Sequence, residues 1–353
     1  MKKHRLPAQE IPILAEVDVV VIGGSFAGLA SALQFANQGK RVIVVEARTY
    51  LGSEITATLS PWITSSQAST SILMDACVKA SGRTFSRGNT ETTVFHVDRL
   101  KLQLEEELLT AGVQLLYASL PIGISSIENN ANGLIIANKS GRQLIRCQGI
   151  VDATETAITT FFSEALKPAG KLKRACYKRV LEFTNVQGID QLELPVPSEL
   201  GIKENKVHLY SGYHGNGHVY VEYQMVFNAD NRLEANHQRE SAAQKAGIDL
   251  AEYMIHHIPA FSKAVLCASS YELKGPYHLE DNEESQKTHQ LIQLDRLAVN
   301  YPNTWSFYQD LFVHGNTDWL DPVKAAALGE QFSELVNDLT FNQPCSRQTI
   351  AQQ

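Results

Sequence analysis

Near the N-terminus, Gly23-Gly24-Ser25-Phe26-Ala27-Gly28 follows the apolar run Val19-Val20-Val21-Ile22. It precedes a stretch with Leu29, Ala30, Leu33 and Ala36 at helical spacing, which Gly39 closes. Arg41 to Val45 is a second apolar run and ends at Glu46. Strand, glycine turn, helix and second strand make a βαβ unit. The chemistry of this pattern is the grip on a dinucleotide. Gly23 permits the tight turn, the position of Ser25 lets backbone approach a pyrophosphate, and Gly28 lets helix and strand pack closely. The helix N-terminus, from Phe26 and Ala27, offers free N–H groups and the positive end of its dipole. Glu46 stands where an acid accepts hydrogen bonds from ribose hydroxyls, and its charge would repel the 2′-phosphate of NADP. Ser25 departs from the expected glycine. Serine is small and adds a hydroxyl donor, so phosphate binding is expected to survive.

The elements that hold this unit follow from the rest of the pattern. Ala47 to Gln67 reads as a loop, Ala68 to Ala80 as a helix, and Asp98 to Thr110 as an amphipathic helix with Leu100, Leu104 and Leu108 on one face. Val113 to Tyr117 is a strand. Ile122 to Cys147 reads as a three-strand meander turning at Asn129 to Gly133 and at Lys139-Ser140-Gly141. Gly149 to Asp152 is a short buried strand. From about Lys171 to Ser270 the style changes. Strand-like stretches (Cys176 to Thr184, Val207 to Tyr210, His218 to Phe227) precede a polar helix, Arg232 to His257. Leu311 to Gly315 reads as a returning core strand, and Pro322 to Leu339 as a final helix with proline in its first turn. The expected fold class is α/β, a Rossmann-like nucleotide-binding domain with a parallel sheet and a β-meander. Residues 1–170 and 290–353 would form it, and 171–289 would be an inserted, mainly antiparallel α+β substrate or cap domain.

The chain has 353 residues and a net charge of −7, with acidic and basic residues mixed along it. No basic face is visible, so nucleic acid and anionic membranes are poor candidates as partners. The opening MKKHRLPAQEIPILAE lacks the apolar core of a signal peptide, and no apolar run reaches transmembrane length. Cys77, Cys147, Cys176, Cys267 and Cys345 are scattered without a CxxC pair, which argues against a disulfide framework, a zinc site or a dithiol centre. These features predict a soluble cytoplasmic protein with a small-molecule substrate, and they leave the oligomeric state open.

Four segments carry a family resemblance: DVVVIGGSFAGLASALQFANQGKRVIVVEAR, TYLGSEITATLSPWI, the run from HVDRLKLQLEEELLTAGVQLLY to GIVDATE, and LFVHGNTDWLDPVKAAALGEQ. On these the chain resembles the glycine-rich FAD-dependent oxidoreductases, which have a glutathione-reductase-type FAD domain. The resemblance covers both ends and leaves the middle unmatched. It implies FAD as cofactor. Gly52, Ser53, Glu54, Ile55 and Thr56 would lie along the pyrophosphate and flavin edge, with Ser53 replacing a usual glycine. Ala47 and Arg48 would flank the adenine or ribose, and Leu120 would present backbone to the adenine. Ala153 and Thr154, after Asp152, would approach the diphosphate, though Glu155 stands where many relatives have glycine. Gly315 and the start of the Pro322 helix would reach the ribityl chain and flavin. No Cys or His adjoins Gly52 to Trp62, so the flavin is expected to bind non-covalently. A second GxGxxG is missing, so no separate NAD(P)H domain is expected.

In such an enzyme the flavin carries the redox chemistry and the protein supplies orientation and electrostatics. Lys324, in the first turn of the last helix, could add positive charge beside the flavin, or stand as a solvated lysine. His214 and His218 flank a glycine-rich tip with no carboxylate or cysteine to complete a set, so no metal is expected. His256-His257 ends a helix and suits its dipole. Trp62 and Arg87 could line a substrate pocket, although Trp62 could equally pack in the core. The implied function is oxidation or reduction of a small organic molecule by electron or hydride transfer to flavin. Two other readings stay open. A monooxygenase or halogenase-like enzyme is disfavoured by HGNTDWLDP in place of the usual Gly-Asp pair. A non-catalytic FAD-binding subunit is kept by the departures at Ser25, Ser53 and Glu155.

Overall fold

The computed structural model describes residues 10–64, 71–87, 90–127, 131–162, 173–188, 191–215, 217–229, 233–279, 292–299 and 301–340. An edge strand, β1 (Ile13–Glu16), precedes the fully buried β2 (Val19–Ile22), the helix α1 (Phe26–Asn37) and the buried β3 (Val42–Val45). The loop expected after Glu46 contains one helical turn, α2 (Ser53–Thr56), and a short strand, β4 (Trp62–Thr64). Next come α3 (Ile72–Ser81), the hairpin β5 (Gly82–Arg87) and β6 (Thr90–Phe95), and α4 (Val97–Thr110). Ser71 caps α3 by accepting the Met74 N–H at 3.3 Å, so the helix starts later than read; Ala68 lies outside the described residues. Strand β7 (Gln114–Leu116) leads into the meander β8 (Leu120–Ile127), β9 (Ala131–Asn138) and β10 (Gly141–Cys147), and then into β11 (Gly149–Asp152).

The middle of the chain supplies β12 (Arg174–Thr184), β13 (Glu193–Pro195), β14 (Lys206–Ser211), β15 (Val219–Asn228), the long helix α5 (Leu233–His257), β16 (Val265–Ser269) and β17 (Lys274–Tyr277). The chain returns through α6 (Leu294–Leu297), β18 (Thr304–Ser306), α7 (Phe307–His314) and α8 (Pro322–Thr340). Leu311 to Val313 is thus helix, not the returning strand the sequence suggested. A short apolar run does not separate strand from buried helix. Here Phe307, Tyr308 and Leu311 bury one helical face, and Gly315, in the left-handed region at φ 78°, is its C-cap. The strand that does return is β18, which pairs with β11.

A five-stranded parallel sheet runs in the order β18-β11-β2-β3-β7. Side chains alternate across it, as strand geometry requires. Val19, Val21, Val42, Val44 and Val151 face a core with α1, α4, α7 and α8, while Val20, Ile22, Ile43, Val45 and Ile150 pack on the meander through Leu134, Ile136 and Ile145. Both faces are covered, which explains the unbroken Val/Ile runs. The β2 register sets Ile22 beside Val45 and Asp152, so three strands end together. In open α/β sheets ligands bind outside such carboxyl ends. The middle strands form a six-stranded antiparallel sheet that packs on α5, around Leu181, Phe183, Val221, Leu250 and Phe261.

Candidate functional site

The β2–α1 crossing is packed too tightly for side chains at its glycines. A Cβ on Gly23 (φ 94°) would lie 2.8 Å from the Ala153 carbonyl oxygen, and one on Gly28 would lie 2.7 Å from the Ala153 Cβ. Ala153, directly after β11, is the floor beneath both. Ser25 is the N-cap of α1: its Oγ accepts the Gly28 N–H at 3.3 Å, so the residue that replaces glycine is a helix cap. Phe26 and Ala27 are fully buried. Gly329 lets α8 meet α1 backbone to backbone, since a Cβ there would stand 2.1 Å from the Ala27 oxygen.

Glu46 ends β3 with its side chain buried against this turn. One carboxylate oxygen accepts the Gly24 N–H, and the other accepts the Arg48 N–H at 2.7 Å and the Arg48 Nη1 at 3.2 Å. Arg48 also pairs with Glu272 and, at 3.4 Å, with Glu155. Ala47 is exposed beside them. Leu120 opens β8 with a half-exposed side chain, next to Ser119, whose N–H binds the Glu46 carbonyl at 3.1 Å.

The sequence profile of the family described as FAD dependent oxidoreductase matches residues 18–317. The chain belongs to the FAD-dependent oxidoreductases. Solved structures share its fold. A geranylgeranyl bacteriochlorophyll reductase-like protein from Thermoplasma acidophilum is 13% identical with a TM-score of 0.55, covering 92% of this chain and 84% of that one. A flavoprotein/dehydrogenase from Cytophaga hutchinsonii is 14% identical with a TM-score of 0.52, covering 90% and 79%. A probable FAD-dependent monooxygenase from Pseudomonas aeruginosa is 12% identical with a TM-score of 0.52, covering 92% and 87%. No curated protein is significantly similar to this chain in sequence.

FAD is the cofactor of this FAD-dependent oxidoreductase, and the βαβ unit fits it. The Gly23–Gly28 cradle admits backbone and excludes side chains, and Glu46 supplies a buried carboxylate at the end of β3. The loop after Glu46 makes the fit less simple. Gly52, in the left-handed region (φ 74°), donates its N–H to the Gly24 carbonyl at 2.7 Å. That bond brings α2 against the start of α1, with Ser53, Glu54, Ile55 and Thr56 all buried. Both Glu54 oxygens accept the Phe26 N–H, at 2.9 and 3.0 Å, and Tyr308 Oη donates to one of them from 3.3 Å. Burial, and after it the Glu155 charge, push the Glu54 carboxyl up to about 7.

Asp152 is a buried knot. It accepts from the Thr154 N–H and hydroxyl (3.0 and 2.6 Å), the Thr159 N–H and hydroxyl (2.8 and 2.7 Å) and the Ser306 hydroxyl (3.2 Å). It thereby fixes the turn carrying Ala153, Thr154 and Glu155. At the other end of the chain, the Gly315 carbonyl accepts from His278 Nε2 at 2.9 Å. The Lys324 ammonium pairs with Asp318 at 2.7 Å and its side chain is 40% exposed. Asp321 accepts the Val323 and Lys324 N–H groups, so this side chain takes donors at the start of α8.

Trp62 stacks on Tyr210 with ring centroids 3.9 Å apart and so packs the hairpin sheet on the antiparallel sheet. The Arg87 side chain lies outside the described residues. His218 binds Glu182 through Nε2 (2.7 Å) and accepts the His214 N–H at Nδ1 (3.2 Å). No cluster of metal-ligating side chains occurs among the described residues. His256 and His257 lie in the last turn of α5, where His257 stacks on Tyr253.

A cavity of about 350 Å³ opens between the two layers, lined by Ser53, Glu54 and Tyr308 on one side and Tyr177, Arg239 and Lys274 on the other. The sequence reading named neither Tyr308 nor Lys274. Tyr308 lies on α7 before Leu311 to Gly315, the stretch read as a strand, and Lys274 lies in the middle of the chain, which the four resembling segments leave out although the family profile covers it. The strand that carries Lys274 pairs with β12, a link no local motif announces. Burial lowers the Lys274 ammonium, opposed by the charge of Asp321.

Proposed function

We propose that FAD lies non-covalently along the β2–α1 turn, with its adenosine toward Glu46, Arg48 and Leu120 and its flavin toward the inter-layer cavity. Residues 1–170 and 290–353 would be the cofactor domain and 171–289 the cap. In this reading the enzyme oxidises or reduces a small organic molecule, and the bound flavin exchanges the hydride or electrons. The carrying observation is the cavity, whose walls come from both layers and which continues from α2 and Tyr308 to β17. The Lys274 side chain makes no hydrogen bond or ion pair among the described residues, so its amine is available to take up a carboxylate or similar anionic group of the substrate, whose charge would favour the ammonium. Tyr308 Oη adds a hydroxyl on the opposite wall. The five cysteines, scattered without a CxxC pair, support a cytoplasmic, reducing location.

The test is anaerobic bleaching of the reconstituted flavin by panels of neutral and carboxylate-bearing reductants, followed by Lys274→Met. Carboxylate reductants should bleach wild type fastest. The variant should keep its flavin while KM for them rises on the order of tenfold or more, the loss expected for a hydrogen bond to a charged group. Indifference of the variant to the substrate's charge would remove Lys274 from the site. A flavin that stays in an acid-precipitated pellet would overturn non-covalent binding.

A further inference from the structure

Glu54 holds the donor that a diphosphate needs. The first N–H groups of a helix have no partner within it and form a ready anion site. In α1 the Phe26 N–H is such a donor, and both oxygens of the Glu54 carboxylate accept it, at 2.9 and 3.0 Å. The residue is 3% exposed, so this is not a surface carboxylate resting on a helix end. Tyr308 Oη donates to Oε1 at 3.3 Å, and the Ser53 hydroxyl lies 3.4 Å from Oε2. The Gly52–Gly24 backbone bond fixes the loop that delivers it. A carboxylate and a diphosphate oxygen cannot both occupy this position.

We propose that Glu54 is a built-in competitor of the FAD diphosphate, so that the cofactor seats fully only when this carboxylate leaves the α1 N-terminus or gives up its charge. The proposal rests on FAD lying along the β2–α1 turn, and is independent of the substrate.

The surroundings set the direction of the pH dependence. Glu155, on the turn after β11, faces Glu54; burial would raise its carboxyl, but the Arg48 charge together with hydrogen bonds from Ser53, Arg48 and the backbone outweighs that and holds it down, so it stays anionic. Lys274 on β17 faces Glu54 from the cap and attracts it, though burial lowers its own ammonium. Tyr308 on α7 is pushed up by burial and by Glu54, so it remains a neutral donor. Asp321, before α8, acts on Lys274. With burial and Glu155 dominating, Glu54 ionises near neutrality. The proton is lost as pH rises, the carboxylate then competes, and FAD affinity falls. The FAD diphosphate is a diester and keeps its charge throughout this range, so the ligand contributes no slope.

The experiment is FAD titration of the cofactor-stripped full chain, followed by flavin fluorescence, from about pH 6 to 8.5. Wild type should weaken by about tenfold per pH unit above neutrality. Glu54→Gln should bind about tenfold tighter than wild type near pH 8 and show a flat profile. Glu54→Ser, which matches the size of Ser53, serves as the second variant, with circular dichroism to confirm folding. Variants that bind FAD no tighter than wild type, or that keep its slope, would overturn the proposal while leaving the cofactor's place intact. Absence of FAD binding in wild type and both folded variants would overturn this proposal and the placement of FAD together. Binding by the variants alone would support it in its strongest form.

Discussion

The two walls of the cavity are built by different logic. On the cofactor side, residues 19–56 are close in sequence and bonded to one another: Gly52 to Gly24, Glu46 to Gly24, Glu54 to Phe26. On the cap side the wall is assembled from Tyr177, Arg239 and Lys274, which reach each other only through the pairing of β12, β15 and β17 and the packing of α5. A site made of local backbone geometry imposes residue types at fixed spacing. A site made by tertiary pairing imposes only that some polar groups arrive. The cofactor side should therefore fail by steric intrusion into backbone, and the cap side by loss of buried pairs.

The largest expected effect is at Gly28. Its missing Cβ is the space that Ala153 and the Gly23 carbonyl fill, at 2.7 and 2.8 Å. Gly28→Val must push α1 away from β2 and turn the Phe26 and Ala27 N–H groups off the diphosphate. FAD binding should be lost, with a stability loss of about 1–3 kcal/mol from overpacking. Flavin content after reconstitution, alongside a thermal melt, measures both. A folded variant with full FAD occupancy would break the comparison at its stronger end.

The same contrast explains what the sequence made legible. The turn, Glu46, the meander and the closing helix could be read because glycine spacing, uninterrupted valines and turn residues are forced by backbone geometry. The role of α7 was misread because Leu311-Phe312-Val313 suits either buried strand or buried helix, and only packing against the sheet decides. The hairpin of β5 and β6 went unread because its residues, such as Arg83, Thr84 and Thr92, alternate weakly. Lys274 and Tyr308 were invisible for a different reason: nothing within several residues of either marks a site. Glu54 falls in the segment the sequence marks as the loop after Glu46, but its direction depends on the left-handed Gly52 and on Gly24, which no pattern of apolar residues encodes.

On the cap side the sharpest probe is Arg179. Its side chain is 2% exposed, with Nη1 on Glu240 at 2.7 Å and Nη2 on the Ser270 carbonyl at 2.6 Å. These bonds tie β12 to α5 and to the strand end before β17. Arg179→Met removes one partner and leaves a carboxylate behind, at a cost of about 3–5 kcal/mol. Urea denaturation should show that loss while FAD affinity stays within about twofold, below the roughly 1.4 kcal/mol of a tenfold change. A parallel fall in FAD affinity would mean that the cap helps to hold the cofactor, and the two walls would no longer be separable.

The smallest effect belongs to Glu46, and it tests the cofactor side from within. Its carboxylate already serves the Gly24 and Arg48 N–H groups, and two oxygens retain lone pairs for ribose hydroxyls. Glu46→Gln keeps the size, removes the charge, and turns one acceptor into an NH2 group. Hydrogen bonds to charged groups contribute about 1.5–3 kcal/mol against roughly 1 for neutral ones. FAD binding should therefore weaken on the order of tenfold. FMN lacks the adenosine half, so its binding reports only on whether the turn survives. Titration of the stripped protein with both flavins separates the two roles. Loss for FAD alone assigns Glu46 to the ribose. Equal loss for both would assign it to the Gly24 turn, making the buried acid a structural brace. No loss for either would place the adenosine outside the βαβ unit, and with it the premise that local geometry alone holds the cofactor.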